Sequence, residues 1–191
     1  MDITAVFLAA PVVLPIVAVF AIMVRQDGGS AFYTQDRVGQ NGRSFRMWKL
    51  RSMVSDADAR MSDYLATNPT ARVEWERTQK LKSDPRITPL GSFLRSSSLD
   101  ELPQLWNILK GDMSLVGPRP MMLSQKTLYP GNAYYRLRPG LTGPWQISGR
   151  NDTTFEARAD FDAEYERRLA FGTDLGILLR TVGVVLKGTG Y

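Results

Sequence analysis

The chain contains neither cysteine nor histidine among its 191 residues. The absence of cysteine excludes a disulfide-stabilised scaffold, a thiolate nucleophile and a cysteine metal site. The absence of histidine removes the most frequent general base and the most frequent zinc ligand in proteins. Any chemistry must therefore depend on carboxylates, hydroxyls, lysine, arginine or a hard cation such as Mg²⁺.

The residues that are present make the chain basic. Lysine and arginine number 24 against 19 acidic residues, which gives a formal net charge of +5 and an isoelectric point near 9.6. This balance indicates an anionic partner, which can be nucleic acid, phosphate esters or a lipid surface. The length suits one domain with a substantial core, or a domain with an appendage.

An apolar run near the N-terminus decides among these partners. Residues 5–24 contain no charged or strongly polar side chain, and a helix of ~20 residues is long enough to cross the ~30 Å apolar core of a bilayer. Pro11 and Pro15 lie inside the run, where each removes a helical hydrogen bond. Two structures fit: a kinked spanning helix, and a re-entrant helix that leaves by the face it entered. Arg25 and the basic remainder favour the cytoplasmic side for the rest of the chain.

The remainder predicts a β-hairpin followed by helices. Asn41-Gly42 lies between two strand-like segments and favours a tight turn. The cations on the second arm, Lys49 and Arg51 among them, form a basic face that can contact either solvent or phosphate. Helical patterns cover 53–66, 71–83, 98–110, 162–171 and 175–186, and 84–91 is expected to be a turn-rich connection. The last helix suits either a membrane interface or the protein core.

An acidic pair, Asp100 and Glu101, follows a run of serines. The Ser98-x-x-Glu101 spacing matches a capping box, in which the glutamate only reaches back to a backbone amide. Asp100 would then lie at the positive end of a helix, which favours its ionised form. The same position suits a carboxylate nucleophile or a Mg²⁺ ligand. These residues alone leave the cap and the reaction centre both open.

Three arginines lie in turns stiffened by proline and glycine. Arg119 lies between Pro118 and Pro120, while Arg138 and Arg150 belong to a similar glycine- and proline-rich stretch. A guanidinium on a rigid backbone suits bidentate phosphate recognition, although a surface-loop arginine has the same sequence pattern. Together with the acidic pair and the apolar run, these turns favour phosphoryl transfer near a membrane.

Long stretches of the chain resemble a known family. They are FYTQDRVGQNGRSFRMWKLRSM (32–53), SDPRITPLGSFLRSSSLDELPQLWNILKGDMSLVGPRP (83–120), RPGLTGPWQISGRND (138–152) and DLGILLRTVGVVLKG (174–188). With these stretches in this order, the chain resembles the bacterial sugar transferases, which are monotopic polyprenyl-phosphate phosphoglycosyl transferases. It is most similar to their exopolysaccharide-synthesis branch, the undecaprenyl-phosphate galactose or glucose phosphotransferases.

The resemblance implies a reaction. A phosphohexose would pass from a UDP-sugar, UDP-galactose or UDP-glucose, to undecaprenyl phosphate with release of UMP, as the first membrane step of exopolysaccharide or other glycoconjugate synthesis. Asp100 would be the nucleophile and a ligand of the cofactor Mg²⁺, Glu101 would assist, and a phosphosugar–aspartyl ester would be the intermediate. Arg95 and Arg119 match family arginines, and Arg51, Arg138 and Arg150 complete the expected phosphate-binding residues.

The resemblance also implies an architecture. We expect an α+β, mostly helical fold in which residues 1–25 form a re-entrant membrane helix broken at Pro15. Residues 26–191 would form a compact cytoplasmic catalytic domain, with amphipathic helices at the membrane interface, on the bacterial inner membrane. The chain departs from the family where Leu14 replaces the usual serine before the proline, which removes a hydroxyl able to satisfy a freed carbonyl.

Two other classes of protein share part of this pattern. A nucleic-acid-binding protein would also be basic, but the apolar run argues against it and we expect no nucleic acid partner. A catalytically silent membrane scaffold of a polysaccharide assembly complex is disfavoured by the intact acidic pair. The sequence specifies neither the sugar nor the oligomeric state, and a homo-oligomer is compatible with it.

Overall fold

The computed structural model describes residues 1–26, 28–78, 81, 83–148 and 155–186. Its fold is α+β and mostly helical, as predicted. The helices are α1 (Asp2–Arg25), α2 (Ala57–Thr67), α3 (Pro69–Thr78), α4 (Pro89–Ser96), α5 (Gln104–Leu109), α6 (Ala133–Arg136), α7 (Pro144–Ile147), α8 (Arg158–Arg167) and α9 (Phe171–Leu186). The strands are β1 (Phe32–Val38), β2 (Ser44–Leu50), β3 (Ser114–Val116) and β4 (Gly140–Thr142), and short 3₁₀ turns cover Gln40–Gly42, Leu99–Glu101 and Leu123–Leu128.

The N-terminal helix α1 is long and apolar. It contains 24 residues, including Pro11 and Pro15, and its mean hydropathy reaches 2.7. Only 6% of its most apolar stretch is buried inside the protein, so most of its surface faces outward. Within the described residues, it is the one helix long and apolar enough to cross a membrane.

Both ends of α1 nevertheless pack on the rest of the protein. Val6 belongs to a buried cluster that includes Met47 and Ile108. Val24 belongs to another, with Leu50 and Leu94. Each valine is only 3% exposed. The two ends of the helix therefore contribute to the protein core, while the middle of the helix is largely exposed.

The predicted hairpin is confirmed. β1 and β2 pair antiparallel over their full lengths, from Phe32 opposite Leu50 to Val38 opposite Ser44. At the tip, Asn41 and Gly42 both have left-handed backbone angles, with φ of 58° and 75°. Asparagine and glycine tolerate this conformation better than other residues, which explains their place in the turn.

A second, parallel pair, β3 and β4, was not predicted. A side chain at Gly117 would place its Cβ 2.3 Å from the Arg138 carbonyl oxygen, and one at Gly140 would place it 2.1 Å from the Gly117 nitrogen. The two backbones therefore touch directly, with no room for a side chain. This contact fixes the turn that carries Arg119 against the start of β4.

Two predicted segments around the acidic pair are wrong. The stretch 84–91 is not all turn, because α4 begins at Pro89 and Thr88 Oγ1 accepts a hydrogen bond from the Gly91 amide at 2.9 Å. The continuous helix predicted over 98–110 is divided into the 3₁₀ turn Leu99–Glu101 and α5. The division follows from Ser98, whose φ of 59° is left-handed and incompatible with a helix interior.

The other predicted helices are confirmed with shifted bounds. α2 covers most of 53–66, and α3 covers 71–78 of the predicted 71–83, of which residues 79, 80 and 82 lie outside the described residues. α8 and α9 overlap 162–171 and 175–186. α8 begins at Arg158, four residues earlier than predicted. The bounds differ at the helix ends, because the helical spacing of apolar residues does not show at which residue a helix begins or ends.

Asn107 joins α5 to the hairpin. Its side chain is fully buried, and Oδ1 accepts a hydrogen bond from the Trp48 amide at 3.0 Å while Nδ2 donates to the Arg46 carbonyl at 2.8 Å. The amide thus pairs with the backbone of β2 as a neighbouring strand would. This interaction fixes the position of Lys49, the next residue of β2, relative to α5.

We expect Asn107→Ala to destabilise the protein by about 2–3 kcal/mol, because it leaves two backbone groups of β2 without partners. Denaturant unfolding of the detergent-solubilised protein measures the change. Lys110→Ala, at the end of the same helix, removes an ion pair with Asp112 that lies on the surface and should cost less than about 1 kcal/mol. Equal effects of the two substitutions would contradict the role given to Asn107.

Candidate active site

The acidic pair lies in the 3₁₀ turn between α4 and α5. Ser98 precedes the turn, and its side chain makes no capping hydrogen bond. The capping-box interpretation is therefore wrong, although the Glu101 amide does donate to the Ser98 carbonyl at 3.2 Å. The carboxylates of Asp100 and Glu101 are left to interact with other parts of the protein.

Lys49 connects the two carboxylates. Its Nζ lies 2.7 Å from Glu101 Oε1 and 3.5 Å from Asp100 Oδ2. Sequence reasoning placed Lys49 on a basic strand face and did not assign it to the site. The signal that could have found it is chemical, since two adjacent acids that are both withdrawn from solvent need a cation in order to stay charged together.

Burial dominates the electrostatics of Asp100, which is 6% exposed. The loss of hydration raises its pKa above the ordinary aspartate value, the Lys49 ammonium acts in the opposite direction, and the Glu101 carboxylate raises the pKa further. Asp100 lies in the 3₁₀ turn Leu99–Glu101, ahead of α5, so its expected place at the start of a longer helix is wrong. The nearby cations, Lys49 first and Arg95 after it, supply the stabilisation that the ionised form receives.

A cleft opens beside the pair. Arg119 reaches into it from the Pro118–Pro120 turn, with Nη2 at 3.9 Å from Glu101 Oε1. The residues that line the cleft are Arg37, Met47, Lys49, Glu101, Gln104, Arg119, Pro120, Gly140 and Leu141. Three cations, Lys49, Arg37 and Arg119, therefore line the cleft together with the Glu101 carboxylate.

The other predicted phosphate-binding arginines lie in different places. Arg95 is within electrostatic reach of Asp100. Arg51 donates from Nη2 to the Val24 carbonyl at 2.8 Å, at the C-terminal end of α1. Arg138 lies with Nη2 at 3.7 Å from Asp2 Oδ2, at the N-terminal end of α1. The structure thus brings Arg119 and Arg95 to the acidic pair, and Arg51 and Arg138 to the two ends of α1.

Arg150, the fifth predicted phosphate-binding residue, lies outside the described residues. Its role stays a prediction.

Two further arginines near the cleft were missed by sequence reasoning. Arg37 projects from β1, and its Nη1 donates to the Pro120 carbonyl at 3.4 Å. Arg158 opens α8 and stacks on the Trp145 ring, with 4.1 Å between its guanidinium carbon and the ring centroid. Burial, followed by repulsion from Arg119, lowers the pKa of each to about 10. Neither lies in a proline-rich turn, which is why the pattern that identified Arg119 did not include them.

The acidic pair fits a particular kind of metal site. Within the described ranges, no group of three or more acidic side chains is placed to hold a metal ion. Mg²⁺, however, is commonly held by one or two carboxylates, with substrate phosphates and water completing its coordination. Asp100 and Glu101 can supply such a partial set of ligands when a phosphorylated substrate brings the rest.

Comparison with known proteins places the chain among its relatives. The sequence pattern of the family described as Bacterial sugar transferase matches residues 1–188. The chain belongs to the bacterial sugar transferase family. The family resemblance found in the sequence is thereby confirmed.

Several relatives from this family have names that describe an activity. The UDP-galactose-lipid carrier transferase of Erwinia amylovora is 48% identical over 179 residues, which cover 93% of this chain and 38% of the relative. The undecaprenyl-phosphate galactose phosphotransferase of Salmonella typhimurium is 48% identical over 169 residues, which cover 87% of this chain and 36% of the relative. The exopolysaccharide production protein ExoY of Rhizobium meliloti is 45% identical over 174 residues, which cover 90% of this chain and 77% of the relative. The chain thus spans well under half the length of the first two relatives, and most of the third.

We expect Lys49→Met to raise the pKa of Asp100, because the substitution removes the cation that opposes the burial of this carboxylate. Titration of the ¹³C carboxyl signals of aspartate-labelled protein in detergent measures the shift. Lys126→Met serves as the control, since Lys126 donates to the Gly42 carbonyl on the exposed surface. An Asp100 titration that is the same in the wild type and in Lys49→Met would show that the ammonium does not stabilise the carboxylate.

Proposed function

We propose that this bacterial sugar transferase moves a phosphohexose from a UDP-sugar to undecaprenyl phosphate and releases UMP. The observation that carries the proposal is the buried Asp100 beside Glu101 and Lys49, two residues that line a cleft together with Arg37 and Arg119. The printed names of the relatives support the substrates, since one is a UDP-galactose-lipid carrier transferase and another uses undecaprenyl phosphate. UDP-galactose or UDP-glucose is the proposed donor.

In the first half-reaction, an Asp100 carboxylate oxygen attacks the sugar-linked phosphorus of the donor. A bond forms between this oxygen and the phosphorus, and the bond from the phosphorus to the bridging oxygen breaks. The bridging oxygen keeps the electron pair and departs as part of UMP. The product on the enzyme is a phosphosugar–aspartyl ester.

In the second half-reaction, a phosphate oxygen of undecaprenyl phosphate attacks the same phosphorus. The aspartyl oxygen leaves with its electron pair, which regenerates the Asp100 carboxylate and yields undecaprenyl diphosphate sugar. One site thereby serves a soluble donor and a membrane-bound acceptor in turn, without binding both bulky substrates at once.

The neighbouring residues of Asp100 support its role as a nucleophile. The Lys49 ammonium, 3.5 Å from Oδ2, favours the ionised carboxylate that attack requires. Arg119, which lines the cleft beside Glu101, is placed to neutralise negative charge that develops on the donor's diphosphate during transfer. Glu101 is more exposed than Asp100 and can take part in proton handling or in placing a cation.

Mg²⁺ is the proposed cofactor, held by Asp100 with Glu101 beside it. When bound, it would neutralise charge on the donor's diphosphate and so weaken the repulsion between the phosphates and the carboxylates.

With donor and Mg²⁺ but no lipid acceptor, we expect UMP release equal to the amount of enzyme, together with a mass increase of one phosphohexose on Asp100. Asp100→Asn should abolish both, because an amide is not a competent nucleophile for this step. Coupled detection of UMP and intact-protein mass spectrometry make the two measurements. Asp63→Asn, which changes an exposed carboxylate on α2, should retain both. Activity retained in Asp100→Asn would contradict the role of Asp100 as the nucleophile. If the protein were a catalytically silent scaffold, the wild-type protein itself would release no UMP.

We propose further that α1 is a re-entrant helix that breaks at Pro15. A spanning helix places its ends on opposite faces of an apolar layer ~30 Å thick, so a domain on one face can contact only one end. Both ends of α1 contact the same strand, however, with Val6 clustered with Met47 and Val24 with Leu50. Pro15 provides a place where the helical hydrogen bonds are already interrupted.

The exposed apolar surface extends this membrane contact beyond α1. Phe171, Leu175, Leu179 and Val182 of α9 are all exposed, and the opposite side of α9 buries Ile177 in the core. A helix with one buried face and one exposed apolar face suits the membrane interface. The proposed location is the bacterial inner membrane, with residues 26–191 on its cytoplasmic face.

Single cysteines test the topology, because the chain has none of its own. Thr4→Cys and Gln26→Cys lie near the two ends of α1, at exposed positions. In inverted and right-side-out vesicles, we expect both to react with an impermeant thiol reagent from the same side, the cytoplasmic one. Labelling from opposite sides would mean a spanning helix. Ser62→Cys, exposed on α2, reports the side on which the rest of the protein lies.

A further inference from the structure

Three arginines, Arg37, Arg119 and Arg158, form a cluster of like charge, two of them lining the cleft and the third beside Arg119. Arg37 and Arg119 line the cleft together with Glu101. Arg119 and Arg158 face the same Trp145 ring, with guanidinium carbons 5.9 Å and 4.1 Å from its centroid. We call these three residues the arginine cluster.

Two members of the arginine cluster are half-buried, and each has a buried Nε whose hydrogen-bonding capacity is unused. Nε of Arg37 and Nε of Arg158 are inaccessible to solvent and have no hydrogen-bond acceptor in the part of the chain that the structure describes. Arg37 does donate from Nη2 to Gln35 Oε1 at 2.6 Å and from Nη1 to the Pro120 carbonyl. Both of these acceptors are neutral, so they orient the guanidinium without cancelling its charge.

The nearby carboxylates do not balance the arginine cluster. Glu101 is already paired with Lys49 at 2.7 Å and is farther, 3.9 Å, from Arg119. Asp162, which attracts Arg158 electrostatically, accepts a hydrogen bond from the Tyr129 hydroxyl at 2.8 Å. Counted with Lys49, Arg95 and Asp100, five cations face three carboxylates. Buried like charges are costly unless an anion joins them, so the geometry favours an anionic ligand.

We propose that the arginine cluster binds the phosphate on the nucleoside side of the donor's diphosphate and holds the nucleoside monophosphate as it departs. This inference rests on the proposed function. The carboxylates of Asp100 and Glu101 define where the sugar-linked phosphorus must lie, since Asp100 attacks it. One bridging oxygen joins the two phosphates, so the second phosphate must lie next to the first. We place it on the side of the arginine cluster, away from the carboxylates of Asp100 and Glu101.

In this position the arginine cluster would stabilise the leaving group of the first half-reaction. When the bond from the sugar-linked phosphorus to the bridging oxygen breaks, the bridging oxygen and its electron pair stay with the nucleoside phosphate. The negative charge on that phosphate therefore increases in the transition state. Donors already held at that position stabilise the increase without having to reorganise, and the Trp145 ring lies within cation–π distance of two of the guanidinium groups.

Binding of the product UMP tests the arginine cluster directly. The measurement is isothermal titration of UMP, with uridine in parallel, into detergent-solubilised full-length Asp100→Asn protein, which cannot turn over. Adding Arg37→Gln or Arg158→Gln should weaken UMP binding at least about tenfold and leave uridine binding unchanged, since only the phosphate contact is lost. Arg167→Gln, an exposed arginine on the same helix as Arg158, should bind UMP as its parent does.

A variant that fails to fold is replaced by its lysine counterpart. Arg37→Lys and Arg158→Lys keep the charge but lose the planar fork, so a smaller loss of UMP affinity is expected in the same direction. UMP affinity that is unchanged in all the folded variants of Arg37 and Arg158 would overturn the inference.

The outcomes separate this inference from the proposed function. Wild-type protein that forms the Asp100 adduct, while the Arg37 and Arg158 variants bind UMP normally, retains the function and refutes the inference alone. Wild-type protein that forms no adduct refutes the function itself. If the variants keep UMP affinity but lose affinity for farnesyl phosphate, the arginine cluster serves the acceptor phosphate, and the assignment to the donor is wrong.

Discussion

The contact between Lys49 and the adjacent carboxylates is the interaction on which the site depends. Asp100 is almost fully buried and has another acid as its chain neighbour, so burial and repulsion both work against its charge. The Lys49 ammonium contacts both carboxylates and opposes these two effects. Without it, the pair would take up a proton more readily and lose the charge that a nucleophile or a metal ligand needs.

The rest of the fold places the partners of this contact. Asn107 fastens β2 to α5 and thereby sets Lys49 over the turn that carries the acids. On the other side, the direct backbone contact of Gly117 with Gly140 sets Arg119 at the edge of the same cleft. Both contacts are made directly to the backbone. The positions of Lys49 and Arg119 therefore depend on main-chain geometry more than on a large core.

The sequence predicts the parts of this arrangement that are local. The hairpin follows from Asn41-Gly42, and the apolar run of α1 from composition. The turn at Ser98 was misread because its serine and glutamate match a capping box, whereas the left-handed Ser98 and the distant Lys49 decide the actual structure. Lys49 and Asp100 are 51 residues apart in the chain, so their contact is a tertiary one. Neither periodicity nor local spacing in the sequence predicts such a contact. The same holds for Arg37 and Arg158, which only the fold brings to Arg119.

The burial of Val6 and Val24 makes the apolar helix α1 part of the packing of the rest of the protein. These side chains fill the clusters that contain Met47 and Leu50, and Arg51 and Arg138 reach the two ends of the same helix. Deleting residues 1–25 to obtain a soluble enzyme would therefore open two gaps beneath β2, the strand that carries Lys49. The apolar helix is therefore a structural support of the candidate site, and a displacement of either end would disturb the packing beneath the strand that carries Lys49.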